Sequence, residues 1–389
     1  MNLEERIRRR QRREDGPALV REYETLSPAA HVENPVGRGP TIERVLNHFD
    51  PIFEGRTPSN LYLHGPAGSG KSAVVTALWR KIDQLPTETQ PVVHTSTRVQ
   101  RRSSPTFVYL DGRRIDSEFA FYHALLTAVE SDSVPSSGVR TSTLRDRLRD
   151  RWQTADSSVV VAVDHLDDGD GPSTAVLDHF ESLPEYVCWL GVGRATPEAT
   201  AVGDRVGDAI RLDAYHLQQL VDVLSARASA AMSERALGHQ QARAIAEWAD
   251  GDAHHALAAL FVAADRADSR ERTRLTDEDV RVATERLSTD AAPLARVLEL
   301  PDNRQVVLRE LVDADATARS SVAAAAEAAA ASLPGSLSER SIERFIYEMA
   351  ETGVLERAEA VAGTGHGRRP SRVEARFHVP VFRRLYDLR

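Results

Sequence analysis

The sequence predicts an α/β protein in three parts: a parallel sheet covered by helices on both faces, a helical domain, and a C-terminal helical module ending in a β-ribbon. Three observations predict it. From "NLYLHG" (60–65) to "VCWLGVGR" (187–194), short apolar strands alternate with helical periods such as "SAVVTALWRKI" (72–82) and "EFAFYHALLTAV" (118–129), the pattern of strands joined by crossover helices. From about 213 to 288 the pattern turns wholly helical. Beyond "STDAAP" (288–293), read as a linker, helices lead into two strand-like runs around a Gly/Arg-rich tip.

Taken in order, residues 1–30 open with "MNLEERIRRRQRRED", a charge-dense arm read as helix or frayed chain. The α/β domain is placed at 31–212, with the polar stretch 85–105 read as a hairpin or surface insertion. Within it, "VVVAVDHLDD" (159–168) begins as a buried parallel strand and rises to Asp164. The helical domain at 213–288 contains "LQQLVDVLSARASAAM", "HQQARAIAEWADG", "AHHALAALFVAADRA" and "TDEDVRVATERL". Thr276, followed by acidic residues, is a good N-terminal cap for the last of these. In the C-terminal domain, 294–389, "SERSIERFIYEMAETG" starts at Ser338 and stops at Gly353, and "VLERAEAVAGTGHGRRPSRVEARFHV" supplies the ribbon. Helices closed by such a ribbon describe a winged helix.

The composition bounds the rest. The chain has 389 residues, 41% of them hydrophobic, which is enough for two or three domains with real cores. Its net charge is −9, yet of 49 basic residues only Lys71 and Lys81 are lysines. Either a GC-rich genome or adaptation to a salt-rich, halophile cytoplasm explains that bias. The single cysteine, Cys188, argues against a disulfide framework. Neither a signal peptide nor a membrane span is visible, so a cytoplasmic protein is expected.

"GPAGSGKS", Gly65, Pro66, Ala67, Gly68, Ser69, Gly70, Lys71 and Ser72, is a full phosphate loop between a strand and a helix. Its glycines let backbone N–H groups close around phosphates, and the helix N-terminus adds its dipole. Lys71 is expected to reach the β- and γ-phosphates of ATP, or the β-phosphate of ADP, and Ser72 to ligate Mg²⁺. Asp164 reads as the second metal-side carboxylate, with a helix cap as the bland alternative.

These segments together resemble the AAA+ replication-initiator family of archaea and eukaryotes, the Orc/Cdc proteins. "RTPSNLYLHGPAGSGKSAVV" resembles the family's approach to the phosphate loop. "DRVGDAIRLDAYHLQQLVDVLSAR", "EWADGDAHHALAALFVAADRA" and "LTDEDVRVATE" resemble its segments leading through the helical lid. The resemblance implies an ATP-switched protein that binds origin double-stranded DNA and works with a replicative helicase and paralogous initiator subunits. It also exposes departures. The family's Asp-Glu pair reads Asp164-His165. The lid arginine that senses γ-phosphate aligns with His254, and the polar residue after the fourth strand falls near Arg194. Binding residues are intact while hydrolytic ones are altered, so slow or absent turnover is expected. Arg205, in "DRVG", reads as an arginine finger toward a neighbouring subunit or as an ordinary surface arginine.

Between Arg357 and Arg389 eight arginines face only Glu359, Glu374 and Asp387, a local reversal of the chain's acidic balance. Arg368, Arg369 and Arg372 are placed on the wing loop for phosphate or minor-groove contact. Ile342, Phe345, Ile346 and Met349 follow the core spacing, which leaves Arg340, Ser341 and Arg344 for a major groove. A winged helix serving protein contact is the alternative. Two rival functions remain open: a nucleotide-gated transcriptional or plasmid regulator, and a partner-binding subunit with little DNA affinity of its own.

Overall fold

Six consecutive residues, "VVVAVD", form a strand buried along its whole length, and the rest of the first unit is built around it. In the computed structural model, residues 18–84, 105–130, 133–155, 158–166, 174–333, 337–359 and 371–389 are described. The chain divides into two compact units, 31–214 and a second made of 1–30 with 215–389. The expected boundary at 212 falls within two residues of that division.

The first unit is a five-stranded parallel sheet. Its strands are β1 (Leu61–His64), β2 (Thr106–Asp111), β3 (Val159–Asp164), β4 (Val187–Gly193) and β5 (Asp208–Arg211), in the order β2-β3-β4-β1-β5. Because side chains alternate, each strand feeds both faces. Val159, Val161 and Val163 join Phe121, Leu125, Leu148 and Trp152 on one side. Those partners come from α4 (Glu118–Val129) and α5 (Thr141–Ala155); α6 (Thr174–Glu181) adds Val176, Leu177 and Phe180. Val160 and Ala162 meet Val45, Phe49, Val74, Leu78 and Trp79 on the other, supplied by α2 (Gly39–Phe53) and α3 (Lys71–Asp83). Each fully buried aliphatic or aromatic side chain contributes about 1.5–3 kcal/mol. The alternation also assigns Asp164 to the α3 face, where chemistry needs it.

The second unit is helical. Its first part comprises α7 (Leu217–Ala231), α8 (His239–Ala249), α9 (Ala253–Asp268) and α10 (Asp277–Arg286). Helix α9 is buried continuously from His255 to Ala264, so it is the central helix, and its many alanines let neighbours approach closely. Thr276 and Asp279 form a reciprocal capping box at α10, as the sequence predicts.

Two expectations are corrected here. The N-terminal segment is not all a charged arm. Leu19, Val20, Tyr23 and Leu26, the last two bounding the short helix α1 (Tyr23–Leu26), belong to the helical core. Arg227, whose pKa burial lowers to about 10, donates to the carbonyls of Thr25, Ser27 and Ala30. Residues 1–15 lie outside the described residues. Nor is 288–293 a free linker: Ala292 donates its amide to Arg376, and one apolar cluster runs from Leu19 to Leu385.

The C-terminal part contains α11 (Leu294–Leu298), α12 (Asp302–Asp313), α13 (Val322–Ser332), α14 (Glu339–Glu351), the antiparallel strands β6 (Leu355–Glu359) and β7 (Ser371–Ala375), and α15 (Val379–Asp387). In α14, Ser338 accepts from the Ser341 amide, and Ile342, Phe345, Ile346 and Met349 are buried, as predicted. Gly353, at φ 72°, takes the left-handed turn that ends the helix. Helix α15 is absent from the sequence reading.

Candidate nucleotide-binding site

The phosphate loop leaves β1 at His64 and becomes α3 at Lys71. Gly65 sits at φ 149°, and a Cβ there would lie 2.0 Å from the Leu212 carbonyl oxygen, so no side chain fits. Gly70 caps α3 at φ 84°, a left-handed value that favours glycine. Lys71 is mostly buried, at 9% exposure. Its Nζ donates to the carbonyls of Gly65 and Pro66, both at 2.7 Å, and to Ser69 Oγ at 3.4 Å. The ammonium thus stands inside the loop, beside the amides of a helix N-terminus that have no intrahelical partner.

Asp164 is 1% exposed. Its Oδ1 accepts the His165 amide at 2.8 Å and its Oδ2 accepts the Tyr109 hydroxyl at 2.9 Å. Burial and the adjacent Asp164 charge push the Tyr109 pKa well up, so this hydroxyl is a permanent donor. Leu61 of β1 and Ala162 of β3 both pair with Leu190 of β4, which places His64 and His165 at one level on the carboxyl edge. Ligands of open α/β sheets bind at that edge. Arg194 follows Gly193, the residue paired with His64, and is exposed. It therefore stands on the rim between the loop and the Asp164 strand.

His165 has φ 60°, an uncommon conformation for a side-chain-bearing residue. Its Nε2 lies 3.8 Å from Asp164 Oδ2. The turn after β2 crowds this backbone, since a Cβ on Gly112 would come within 2.8 Å of the Asp164 carbonyl. Asp111, paired in register with Asp164, is held by Arg113 at 2.7 and 2.8 Å. Although burial opposes it, the hydrogen bonds from Arg113 keep the Asp111 carboxyl below its usual range. The donor set fits the ligands expected of it. A buried, fixed carboxylate and a helix-terminal serine hydroxyl are hard oxygen donors suited to Mg²⁺, and the side-chain-free loop suits a phosphate chain.

The remaining candidates have partners of their own. Arg205 is engaged within its own chain, with Asp178 at 2.7 Å and Glu181 at 3.2 Å. Asn60 braces it, donating to the Arg205 carbonyl while accepting from the Trp189 amide. His254 belongs to the helical unit. Its Nε2 accepts the Leu294 amide at 3.3 Å, and its ring stacks on His378 at 5.6 Å. Burial and His255 lower its pKa to about 4, so it carries no charge near neutrality.

On the C-terminal face, Arg340 and Arg344 of α14 are exposed. Arg344 pairs with Glu348 at 3.4 Å, and Ser341 shares a hydrogen bond with Ser338. Arg368 and Arg369 lie outside the described residues. Arg372 is not on the wing loop but in β7, opposite Ala358 and paired with Glu374, because the hairpin's register extends the strand past it.

Sequence reasoning missed Tyr109, Asp111 and Asn60. The alternation in "TFVYLD" puts Tyr109 and Asp111 on one face, but their meeting with Asp164 depends on strand order.

Comparison with known proteins agrees with this architecture. Residues 34–190 match the family described as AAA ATPase domain, and residues 221–285 the Cdc6 AAA+ ATPase-type lid domain. The two matches lie in that order along the chain and together support an AAA+ protein of the Orc/Cdc6 type. It is similar to ORC1-type DNA replication protein 9 of Halobacterium salinarum, 25% identical over 62% of this chain and just under two thirds (64%) of that protein. It is also similar to an ORC1-type DNA replication protein of Methanothermobacter thermautotrophicus, at 23% identity over 91% of this chain and 93% of that protein. Among solved structures it resembles the Aeropyrum pernix Orc1 protein in complex with DNA, with TM-score 0.58, 21% identity, and 94% and 96% of the two chains covered. The Pyrobaculum aerophilum Cdc6p structure gives TM-score 0.53 at 16% identity, covering 96% of this chain and 100% of that one.

Proposed function

We propose that this protein of the Orc/Cdc6 type is an ATP- or ADP-binding replication initiator that engages origin double-stranded DNA through a C-terminal winged helix. The complete phosphate loop carries the reading: Lys71 is seated among its carbonyls and Asp164 stands on the same sheet face as α3. Bound Mg²⁺ supplies charge neutralisation at the phosphates. Lys71 and the loop amides would hold those phosphates, and Ser72 and Asp164 would hold the metal. His165 stands where a water-orienting carboxylate belongs, and His254 offers no charge, so the nucleotide acts as a switch with slow turnover. Arg205 reaches a neighbouring subunit only if its pairing with α6 is released.

The initiator relatives and the order α12, α13, α14, β6, β7 support the DNA role. In this reading α14 enters the major groove, with Arg340, Ser341 and Arg344 toward base edges, and Arg368, Arg369 and Arg372 meet the backbone. Partner initiator subunits and the loading of a replicative helicase belong to the same proposal. The test is a salt titration on an origin-like inverted repeat, a promoter and a scrambled duplex. Neutralising Arg368 and Arg369 flattens log K against log salt by roughly 0.9 per lost phosphate contact on every duplex. Changing Arg340 or Arg344 instead relaxes the preference for the repeat. Parental slopes in the Arg368/Arg369 variant, or preference for the promoter, would move the reading to protein contact or to transcriptional control.

A further inference from the structure

We propose that Tyr109 is a positioning residue for the metal-side carboxylate, its hydroxyl holding Asp164 in the rotamer that serves the magnesium ion of a bound nucleotide. The proposal rests on the phosphate-loop reading above and deepens it.

An ionised carboxylate is acceptor-only, and its rotamer is set by the donors that surround it. Among the described residues the donors to Asp164 are few. Oδ1 takes the amide of the next residue at 2.8 Å, a bond tied to the local backbone, and Oδ2 takes the Tyr109 hydroxyl at 2.9 Å. Tyr109 comes from a different strand, β2, so it is the contact that relates the carboxylate to the sheet. The neighbouring acid does not draw the hydroxyl away, because Asp111 is engaged by Arg113.

The hydroxyl is itself held from the phosphate-loop side. Phe107 and Tyr109 pack against the core that contains Val74, Val75, Leu78 and Trp79 of α3. Trp79 Nε1 donates to the Val108 carbonyl at 3.0 Å, and its ring meets Phe107 edge to face at 5.4 Å. The helix that begins with Lys71 and Ser72 therefore fixes strand β2, and β2 fixes Asp164 through Tyr109. One rigid path sets both sides of the expected metal site. The bland alternative is that the hydroxyl merely satisfies a partly buried tyrosine, in which case its loss affects stability and nothing else.

Outer partners of metal-side carboxylates typically contribute 10- to 100-fold in metal affinity. The experiment uses the full chain and compares the parent, Tyr109→Phe and Asp164→Asn. ADP and ATP binding is titrated in EDTA and across a Mg²⁺ series, below the melting temperature of every variant. The expected result is that Tyr109→Phe raises the Mg²⁺ concentration for half-maximal tightening about 10-fold or more. Its affinity for nucleotide in EDTA stays within about twofold of the parent, a separation that a purely structural role does not produce. If Asp164→Asn removes the Mg²⁺ effect while Tyr109→Phe keeps the parental midpoint, the proposal is overturned and the site reading stands. Equal weakening with and without Mg²⁺ in Tyr109→Phe also overturns it. Parental Mg²⁺ dependence in Asp164→Asn overturns the site reading itself.

Discussion

In the proposed reading His165 takes the place of a water-orienting carboxylate, and its backbone stands at φ 60°. A strained position held by the surrounding fold is a mark of a functional edge, and here Gly112 lets the neighbouring turn approach closely, since a Cβ there would meet the Asp164 carbonyl at 2.8 Å. Replacing His165 with glutamate restores a group able to orient water. His165→Glu is therefore expected to raise single-turnover ATP hydrolysis by an order of magnitude or more, read by rapid quench. A parent that already turns over as fast as the variant would remove the idea that turnover was lost at this residue. At this scale the phosphate loop was fully legible, because its glycines and lysine act through fixed spacing within eight residues. Tyr109 was not. Its bond to Asp164 joins residues 55 apart, and only the pairing of β2 with β3 brings them together.

Helix α9 shows how an element can be recognised in the sequence while the contacts of its candidate residue cannot. Its sequence resembles the lid helix, and the structure makes it the central helix of its unit. Its second residue, His254, packs against His378 and accepts the Leu294 amide. His255 Nδ1 in turn lies 3.1 Å from His378 Nε2. Burial lowers the pKa of His378 to about 3 and that of His254 to about 4. Both are neutral in the fold and protonate near 6.5 when unfolded. The unfolded chain therefore binds more protons than the fold between about pH 6.5 and pH 4, and stability falls as pH drops through that window. The loss is at most about 2 kcal/mol per histidine by pH 5. Urea unfolding from pH 7 to 5 checks it, and a chain carrying His254→Gln and His378→Gln is expected to lose most of the slope. An unchanged slope would show that other groups drive the dependence. None of this was visible in the sequence, where His378 is 124 residues from His254. Helix α15 was hidden for a related reason: its apolar residues Val381, Phe382 and Leu385 span barely more than a turn. The longer α14 declared its buried face through four residues at helical spacing.

Across the whole molecule, what was legible followed from periodicity: the alternation of strands and helices, the change to an all-helical pattern, and the closing ribbon. What was not legible followed from pairings between distant segments. The order β2-β3-β4-β1-β5, the packing of Leu19 to Leu26 into the helical core, and the strand position of Arg372 all depend on register or burial. The functional account depends on the first unit seating a nucleotide, since every proposed switch begins there. Among the described residues no helix is long and apolar enough to cross a membrane, and Lys71 is one of two lysines in the chain. The most direct measurement is the affinity of the parent and of Lys71→Ala for Mg²⁺·ATP at matched salt, with circular dichroism to establish that both are folded. Losing the ammonium that meets the β- and γ-phosphates is expected to weaken binding on the order of 100-fold, in line with about 1.5–3 kcal/mol for a hydrogen bond to a charged group. A folded Lys71→Ala chain that binds ATP as tightly as the parent would contradict the account.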